Sequence, residues 1–189
     1  MKIKNFIKHK YTLGSILIIL FVLLDQITKL IAYQFKEGLA TANHVFIKYI
    51  LEFSYSENPD ASLGLLGNFD HKHLVFILIT IFALGLFGYF FKDIDFKKRK
   101  VFSFSIVFFI AGTLGNAIDR LFRGFVIDFL HFPFFDFLYK VGLSNFDNNI
   151  ADIVLTFAII LFAIDLFFIE PKFQKKLKEQ SADETNNHS

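Results

Sequence analysis

Carboxylates are the side chains of this sequence best suited to chemistry. The chain contains no cysteine, and it has no Gly-x-Ser-x-Gly elbow, His-Glu-x-x-His helix or Gly-rich phosphate loop. His71 and His73 lack an evident third ligand, so we expect neither a metal nor a cofactor. Two aspartates held together in a poorly solvated cleft retain one proton between them, so one can polarise a carbonyl while the other activates water.

Several aspartates lie near the ends of apolar segments, and spacing alone does not say which two would form such a pair. They are Asp25, Asp60, Asp119, Asp128, Asp136, Asp147 and Asp152. Asp119 is the least expected member, because Arg120 and Arg123 offer it partners. Asp128 and Asp152 are the natural choice, since both stand at the mouth of the helical bundle that the hydropathy predicts.

That bundle follows from the distribution of apolar residues, which make up 54% of the chain. Crossing about 30 Å of hydrocarbon takes roughly 20 mostly apolar residues in a helix. Four runs qualify, and they predict an all-α membrane protein with four transmembrane helices. The predicted spans are 11–33, 74–91, 101–122 and 150–169.

The basic residues predict the orientation of these spans. Lysine and arginine concentrate before the first span, between the second and third, and after the fourth, and such segments stay in the cytoplasm. Both termini are therefore predicted to be cytoplasmic. We expect one four-helix transmembrane domain over 1–170 and a polar cytoplasmic tail over 171–189.

With this orientation, polar residues from three spans fall at one depth, near the outer surface. Charges inside a membrane are costly, about 2.5 to 3.5 kcal/mol each on insertion scales, so the coincidence favours a site over separate ion pairs or snorkelling lysines. Asp165 and Glu170 are exceptions near the inner end, where cytoplasmic lysines could neutralise them. The residues at the outer depth are Asp25, Lys29, Asn116, Asp119, Arg120, Arg123, Asn149 and Asp152.

The two outer links are predicted to cover this site. Apolar residues alternate over Val45–Tyr55, which predicts an extended strand, followed by a turn at Asn58–Asp60, within a small extracytoplasmic β-rich segment over about 43–66. The Phe-rich stretch Phe125–Phe137 is too broken by polar residues to span, and we expect it to lie at the membrane interface.

Four sequence blocks resemble the signatures of the lipoprotein signal peptidases, the bacterial signal peptidases of type II. The third-span block is long enough to be specific, and the resemblance covers all four spans. The blocks are Leu24-Asp25-Gln26-Ile27-Thr28-Lys29, Gly112-Thr113-Leu114-Gly115-Asn116-Ala117-Ile118-Asp119-Arg120-Leu121, Gly124-Phe125-Val126-Ile127-Asp128-Phe129 and Asn149-Ile150-Ala151-Asp152.

The resemblance implies an intramembrane aspartic endopeptidase that removes signal peptides from diacylglyceryl-modified prolipoproteins, cutting before the lipidated cysteine. It implies a multi-pass protein of the bacterial cytoplasmic (inner) membrane with its active site at the outer face, in contact with membrane lipid. We expect a monomer and no nucleic-acid partner. By this resemblance Asp128 and Asp152 are catalytic, and the residues that support the dyad or bind the substrate are Asp25, Lys29, Asn58, Asn116, Arg120 and Asn149.

Two departures from the family pattern bear on the site. The loop block usually reads Asn-x-Gly-Ala-Ala-Phe, whereas this chain has Asn58-Pro59-Asp60-Ala61-Ser62-Leu63, which changes the turn around Asn58. The link between Asp128 and Asp152 is longer than usual, and we expect it to alter the outer lid and leave the dyad intact. The competing hypothesis is a non-enzymatic membrane protein, a small transporter or assembly factor, with a buried ion-pair network.

Overall fold

The computed structural model describes residues 2–41, 44–59, 72–137, 147–175 and 178–179. Its longer helices are α1 (Lys2–Gln34), α3 (Lys72–Phe91), α4 (Lys100–Arg123) and α5 (Ile150–Ile164). The last continues through a π-helical turn, Asp165–Ile169, into a further helical stretch that reaches Lys175. Each predicted span lies inside one of these helices, and all four are long and apolar enough to cross a membrane.

Helix α4 lies at the centre of the bundle, packed against α1, α3 and α5. It is the most buried of the four, whereas the apolar side chains of α1 and α3 are largely exposed. Since exposed apolar helices of this length suit lipid rather than water, the surface of the bundle agrees with a membrane protein. Gly124 ends α4 in the left-handed conformation (φ 82°), which glycine adopts without steric cost.

A four-stranded antiparallel sheet covers one end of the bundle. Its strands are β1 (His44–Ile47), β2 (Leu51–Asn58), β3 (Val126–His131) and β4 (Asp147–Asn148), in that spatial order. A short helix, α2 (Lys36–Thr41), joins α1 to β1. The sheet thus combines strands from the two outer links, which the sequence analysis predicted as a β-rich segment and a separate interfacial segment.

The strand predicted over Val45–Tyr55 is wrong as a single element, because the chain turns back after Ile47. Tyr49 takes a positive φ of 65° in that turn, and β1 and β2 pair on either side of it. Period-two alternation is the same in one long strand and in a hairpin of two, so the pattern could not reveal the turn. Residues 43 and 60–66 of the predicted segment lie outside the described residues.

The Phe-rich stretch after α4, which was predicted as an interfacial segment, contains a strand that the sequence analysis did not predict. Val126–Leu130 is a buried strand that pairs with β2 and β4 at the interior of the sheet. Only then does the chain form a short 3-10 helix, Pro133–Phe135. Asp128, one of the polar residues in the stretch, can be buried there because Asn58 and Asn149 donate hydrogen bonds to it.

At the opposite end of the bundle, Asp165 and Glu170 share an arginine. Arg99 Nη2 lies 2.6 Å from Glu170 Oε2 and 3.3 Å from Asp165 Oδ2, and its guanidinium stacks over the Phe102 ring. The prediction that lysines neutralise these carboxylates is therefore wrong. The two N–H groups of one guanidinium nitrogen can each face a different carboxylate, so a single arginine serves both.

Candidate active site

Asp128 enters the site from β3, with its side chain buried. Its two carboxylate oxygens accept hydrogen bonds from side-chain amides, one from Asn58 Nδ2 at 2.9 Å and the other from Asn149 Nδ2 at 2.6 Å. Burial, followed by the charge of nearby Asp152, raises the pKa of the Asp128 carboxyl to about 7, against the lowering effect of the two amides. Asp128 is thus poised to hold a proton near neutral pH.

Asp152 enters from the opposite side, in the first turn of α5. It forms a reciprocal cap with Asn149: the Asn149 Oδ1 accepts from the Asp152 backbone N–H at 3.0 Å, and Asp152 Oδ2 accepts from the Asn149 N–H at 3.3 Å. The other carboxylate oxygen accepts from Asn116 Nδ2 on α4 at 2.7 Å. Helix capping therefore fixes the orientation of this carboxylate.

Asn149 joins the two aspartates. The same amide group that donates to Asp128 also lies 3.2 Å from the side-chain oxygen of Asn116, so two asparagines bridge both carboxylates. The structure therefore brings Asp128 and Asp152 into one hydrogen-bonded cluster from separate elements. Two interacting carboxylates in a buried cluster hold one proton between them more readily than they both ionise.

Lys29 is fully buried beneath this cluster. Its ammonium lies 2.9 Å from Asp25 Oδ2, 2.9 Å from Asp119 Oδ2 and 3.0 Å from Asn116 Oδ1, so all three of its N–H groups have a partner. The predicted Asp25–Lys29 pair on one helix face is present, and it extends to a second carboxylate on α4. Asp25, Asp119 and Lys29 together carry one excess negative charge, which the nearby Arg120 and Arg123 offset.

The two carboxylates beside Lys29 each hold a backbone N–H next to a predicted catalytic aspartate. Asp25 Oδ1 accepts from the N–H of Ala151 at 2.9 Å, one residue before Asp152. Asp119 Oδ2 accepts from the N–H of Ile127 at 3.2 Å, one residue before Asp128. The buried ion cluster is therefore a frame that sets the positions of both aspartates.

Asp119 and Gln26 are parts of this frame to which the sequence analysis gave no role. Asp119 also contacts Arg123, its neighbour one turn later on α4. Gln26 donates to Asp25 Oδ2 at 3.1 Å and to the Gly115 carbonyl at 3.1 Å. The four-residue spacing of Asp119 and Arg123 could have indicated a role for Asp119. Nothing in the local sequence indicates a role for Gln26 except its place in the block Leu24-Asp25-Gln26-Ile27-Thr28-Lys29.

Arg120, predicted as a partner of Asp119, also contacts α3. Its guanidinium lies over the ring of Phe76 on α3, 4.6 Å from the ring centre, and its charge acts on Asp152 and Asp128 more than on Asp119. Arg123 forms an ion pair with Asp119, as their spacing predicted. Arg120 therefore adds a second positive charge, besides that of Lys29, that acts on Asp128 and Asp152.

The arrangement supports acid–base chemistry by two carboxylates. No group of three histidine, cysteine, aspartate or glutamate side chains suited to a metal ion occurs within the described ranges. Asn58 ends β2 and reaches Asp128, although Pro59 follows in a bend and Asp60 lies outside the described residues. Every predicted site residue is described, and hydrogen bonds connect Asp25, Lys29, Asn58, Asn116, Asp128, Asn149 and Asp152 in one cluster.

Comparison with known proteins gives a consistent result. The family model described as "Signal peptidase (SPase) II" matches residues 17–168. Relatives named lipoprotein signal peptidase include one from Clostridium tetani, 36% identical over 149 residues, which are 79% of this chain and 88% of the relative. Another, from Staphylococcus aureus, is 36% identical over 174 residues, 90% of this chain and 97% of the relative.

Two solved structures also resemble this one. Both are described as a bacterial membrane enzyme determined by the in meso method, at 1.9 and 2.3 Å resolution. Their TM-scores are 0.68 and 0.64, each with 28% sequence identity, and they cover 83% and 82% of this chain and 94% and 87% of their own. The likeness therefore extends over most of the chain.

Proposed function

Since this chain belongs to the signal peptidase II family, a family of aspartic peptidases, we propose that it removes signal peptides from diacylglyceryl-modified prolipoproteins, cutting before the lipidated cysteine. The observation that carries the assignment of the site is the shared Asn149 amide. It ties Asp128 on β3 to the capped Asp152 on α5. A pair held in this way from two elements suits water activation without a metal.

The proposed reaction uses one proton on the pair. The ionised carboxylate takes a proton from water while the water oxygen attacks the scissile carbonyl carbon, and the protonated carboxyl gives its proton to the carbonyl oxygen. Collapse of the tetrahedral intermediate breaks the C–N bond: one hydroxyl of the intermediate returns its proton to the pair as the new carbonyl forms, and the amine of the lipidated cysteine leaves with a proton from the pair. The raised pKa of the Asp128 carboxyl supports a pair that holds one proton near neutral pH.

Lys29 and Arg120 act as positioning charges in this proposal. Lys29 is enclosed by the frame beneath the aspartates, and Arg120 lies over the Phe76 ring, where its charge interacts with both aspartates. Asn58 and Asn116 orient one carboxylate each.

We further propose that the site faces the outer side of the cytoplasmic membrane, with both termini in the cytoplasm. Lysine and arginine are concentrated in the segments at the end of the bundle opposite the sheet, and this bias sets orientation during insertion. A lipidated substrate with a transmembrane signal helix reaches such a site laterally, from the bilayer. The scissile bond then meets the aspartates at the membrane boundary.

The competing hypothesis of a small transporter would require a path for ions through the bundle, which the sequence does not provide. A relay across the bilayer needs ionisable groups through its depth, yet 11–24, 74–91, 101–118 and 153–164 contain no Asp, Glu, Lys or Arg. The inner cluster of Arg99, Asp165 and Glu170 is thus separated from the frame around Lys29 by more than two turns of apolar helix. The charges are arranged as two separate clusters.

The deciding experiment is cleavage of a diacylglyceryl-modified prolipoprotein by purified protein in detergent, with and without chelator. Asp128→Asn and Asp152→Asn are each expected to lower kcat by at least a hundredfold, since acid–base groups contribute about 10²–10⁴. Asp93→Asn, which changes an exposed carboxylate at the far end of the bundle, is the control and should cleave normally. Full activity in either dyad variant would remove that residue from the proposal, and an inactive wild type on lipidated substrate would reject the function.

A further inference from the structure

His131 lies three residues after Asp128 and holds the far end of the link that returns the chain to Asn149. Its Nδ1 is 2.8 Å from Asp147 Oδ1, and its Nε2 is 3.2 Å from Asp136 Oδ1. An ionised carboxylate has no hydrogen to give, so Nδ1–H donates to Asp147. Neither aspartate has a part in the reaction proposed above.

The two contacts differ in burial. The side chains of His131 and Asp147 are 12% and 9% exposed, whereas that of Asp136 is 58% exposed. A hydrogen bond to a charged group is worth more when it is shielded from water, and an exposed ion pair contributes little. The His131–Asp147 bond is therefore the contact that can hold the two segments together.

The backbone alone gives β4 a weak hold. This strand has two residues, Asp147 and Asn148, and within the described residues it pairs with His131 and Leu130 of β3. Asn149 follows at once, and its position must be set within a few tenths of an ångström for its amide to reach Asp128 at 2.6 Å. The hydrogen bond between the side chains of Asp147 and His131 adds a further contact that holds this short strand against β3.

We propose that His131 is a positioning residue for the aspartate pair, acting through Asp147 on Asn149. The His131–Asp147 bond clamps β4 to β3, so that Asn149 can donate to Asp128 while it caps α5 at Asp152. This proposal rests on the proposed function only for its catalytic consequence. The clamp itself is a property of the fold and can be measured without substrate.

Three substitutions of His131 distinguish the contributions of its two ring nitrogens. Asparagine places an N–H donor near the position of Nδ1, glutamine places one near Nε2, and alanine supplies neither. His131→Ala is expected to lower kcat about tenfold or more, because small displacements of reacting groups can cost up to about a hundredfold. KM should change less than about twofold, since no substrate contact is removed. His131→Asn should recover most of the kcat, and His131→Gln should not.

Two further variants test the assigned partner. Asp147→Ala should match His131→Ala, and the double variant should be no worse than either, because the two side chains make one contact. Asp136→Asn is the matched control on the other ring nitrogen and should keep kcat within about twofold. Multiplying losses in the double variant, or equal losses in Asp136→Asn and Asp147→Ala, would overturn the assignment.

Hydrogen exchange of the peptide that contains residues 147–152 gives a readout independent of cleavage. In the wild type the backbone N–H groups of Asn149, Ala151 and Asp152 are hydrogen-bonded, so they should exchange slowly. His131→Ala should raise their exchange while the thermal midpoint in detergent stays close to that of His131→Asn. Unchanged exchange together with unchanged kcat would reject the clamp, whereas an inactive wild type with the exchange effect present would reject only the enzyme function.

Discussion

At the scale of single residues, each polar group beneath the aspartate pair has partners that account for its burial. Lys29 illustrates this, because two carboxylates and an amide oxygen surround its ammonium. Burying charges costs several kcal/mol per ion, which only close and well-directed partners offset. The frame is therefore specific in geometry and sensitive to the loss of any member.

Replacing Lys29 by methionine should destabilise the protein by about 3–5 kcal/mol, because Asp25 and Asp119 would be left buried without their shared cation. The measurement is denaturant or thermal unfolding in detergent micelles. Lys175→Met, which changes a lysine that is 79% exposed, should stay within about 0.5 kcal/mol of the wild type. Equal stability of the two variants would mean that Lys29 does not support the frame.

The raised pKa of Asp128 predicts how activity and stability depend on pH. Cleavage should fall as pH rises through about 7, because the proton needed on the pair is then lost. Stability should follow the same direction: the folded protein holds this proton more tightly than the unfolded chain, so the free energy of unfolding falls between about pH 4 and pH 7.

Asp128→Asn provides the comparison for that stability profile. An amide does not titrate, so the variant should lose stability less steeply than the wild type over the same window. Thermal midpoints in detergent at a series of pH values measure both slopes. Parallel profiles would show that Asp128 does not carry the pH dependence.

At the scale of elements, the start of α5 serves both folding and the site. The reciprocal cap between Asn149 and Asp152 satisfies free N–H groups at the helix start, and the same Asn149 side chain donates to Asp128. Helix initiation and dyad geometry are therefore set by one residue. A substitution that keeps the cap but removes the amide can separate the two roles.

Asn149→Ser and Asn149→Ala make that separation. Serine still accepts a hydrogen bond as an N-cap but has no amide for Asp128, while alanine loses both, so alanine should be less stable by about 0.5–2 kcal/mol. Both variants should lose kcat, because both leave one oxygen of Asp128 without its donor. Normal cleavage by Asn149→Ser would show that the amide contact is dispensable.

At the scale of the whole molecule, the site depends on how closely α4 approaches α1 and α5. Gly112 and Gly115 of α4 allow this approach: a Cβ at Gly115 would lie 2.7 Å from Asp25 Oδ2, and one at Gly112 would lie 2.7 Å from the Ala151 carbonyl oxygen. Small residues at helix crossings are common in membrane bundles, where backbones pack without intervening side chains. Here they also let Asp25 reach α5 past α4.

Gly115→Ala should therefore lower stability by about 1–3 kcal/mol and reduce cleavage, because the added methyl group displaces Asp25 from Ala151. Gly85→Ala on α3 is the matched control, since nothing lies within 4 Å of a Cβ there. Unfolding and cleavage measured side by side would test the effect. A Gly115→Ala protein that behaves like the control would show that the crossing has room to adjust.

Much of the helical architecture could be predicted from the sequence. Hydropathy is a local property, and each apolar run is long enough to span a membrane wherever its neighbours lie, so each of the four predicted spans falls inside a helix. The pairing of Asp25 with Lys29 was also predictable, because four residues along a helix are one turn. The resemblance of four blocks to a known family supplied the function and singled out Asp128 and Asp152.

Only the tertiary structure decided which distant groups meet. It pairs β2 with β3, although α3 and α4 lie between these strands in the sequence. It also brings Asp119 to the Asp25–Lys29 pair and places Asn149 between the two aspartates. Such contacts depend on how whole elements pack, which local sequence patterns do not determine. Alternation does not identify the partner of a strand, and a carboxylate in a helix does not show which backbone N–H will donate to it. The sequence alone determined the chemistry available and the elements that carry it, and packing determined how those groups are combined into a site.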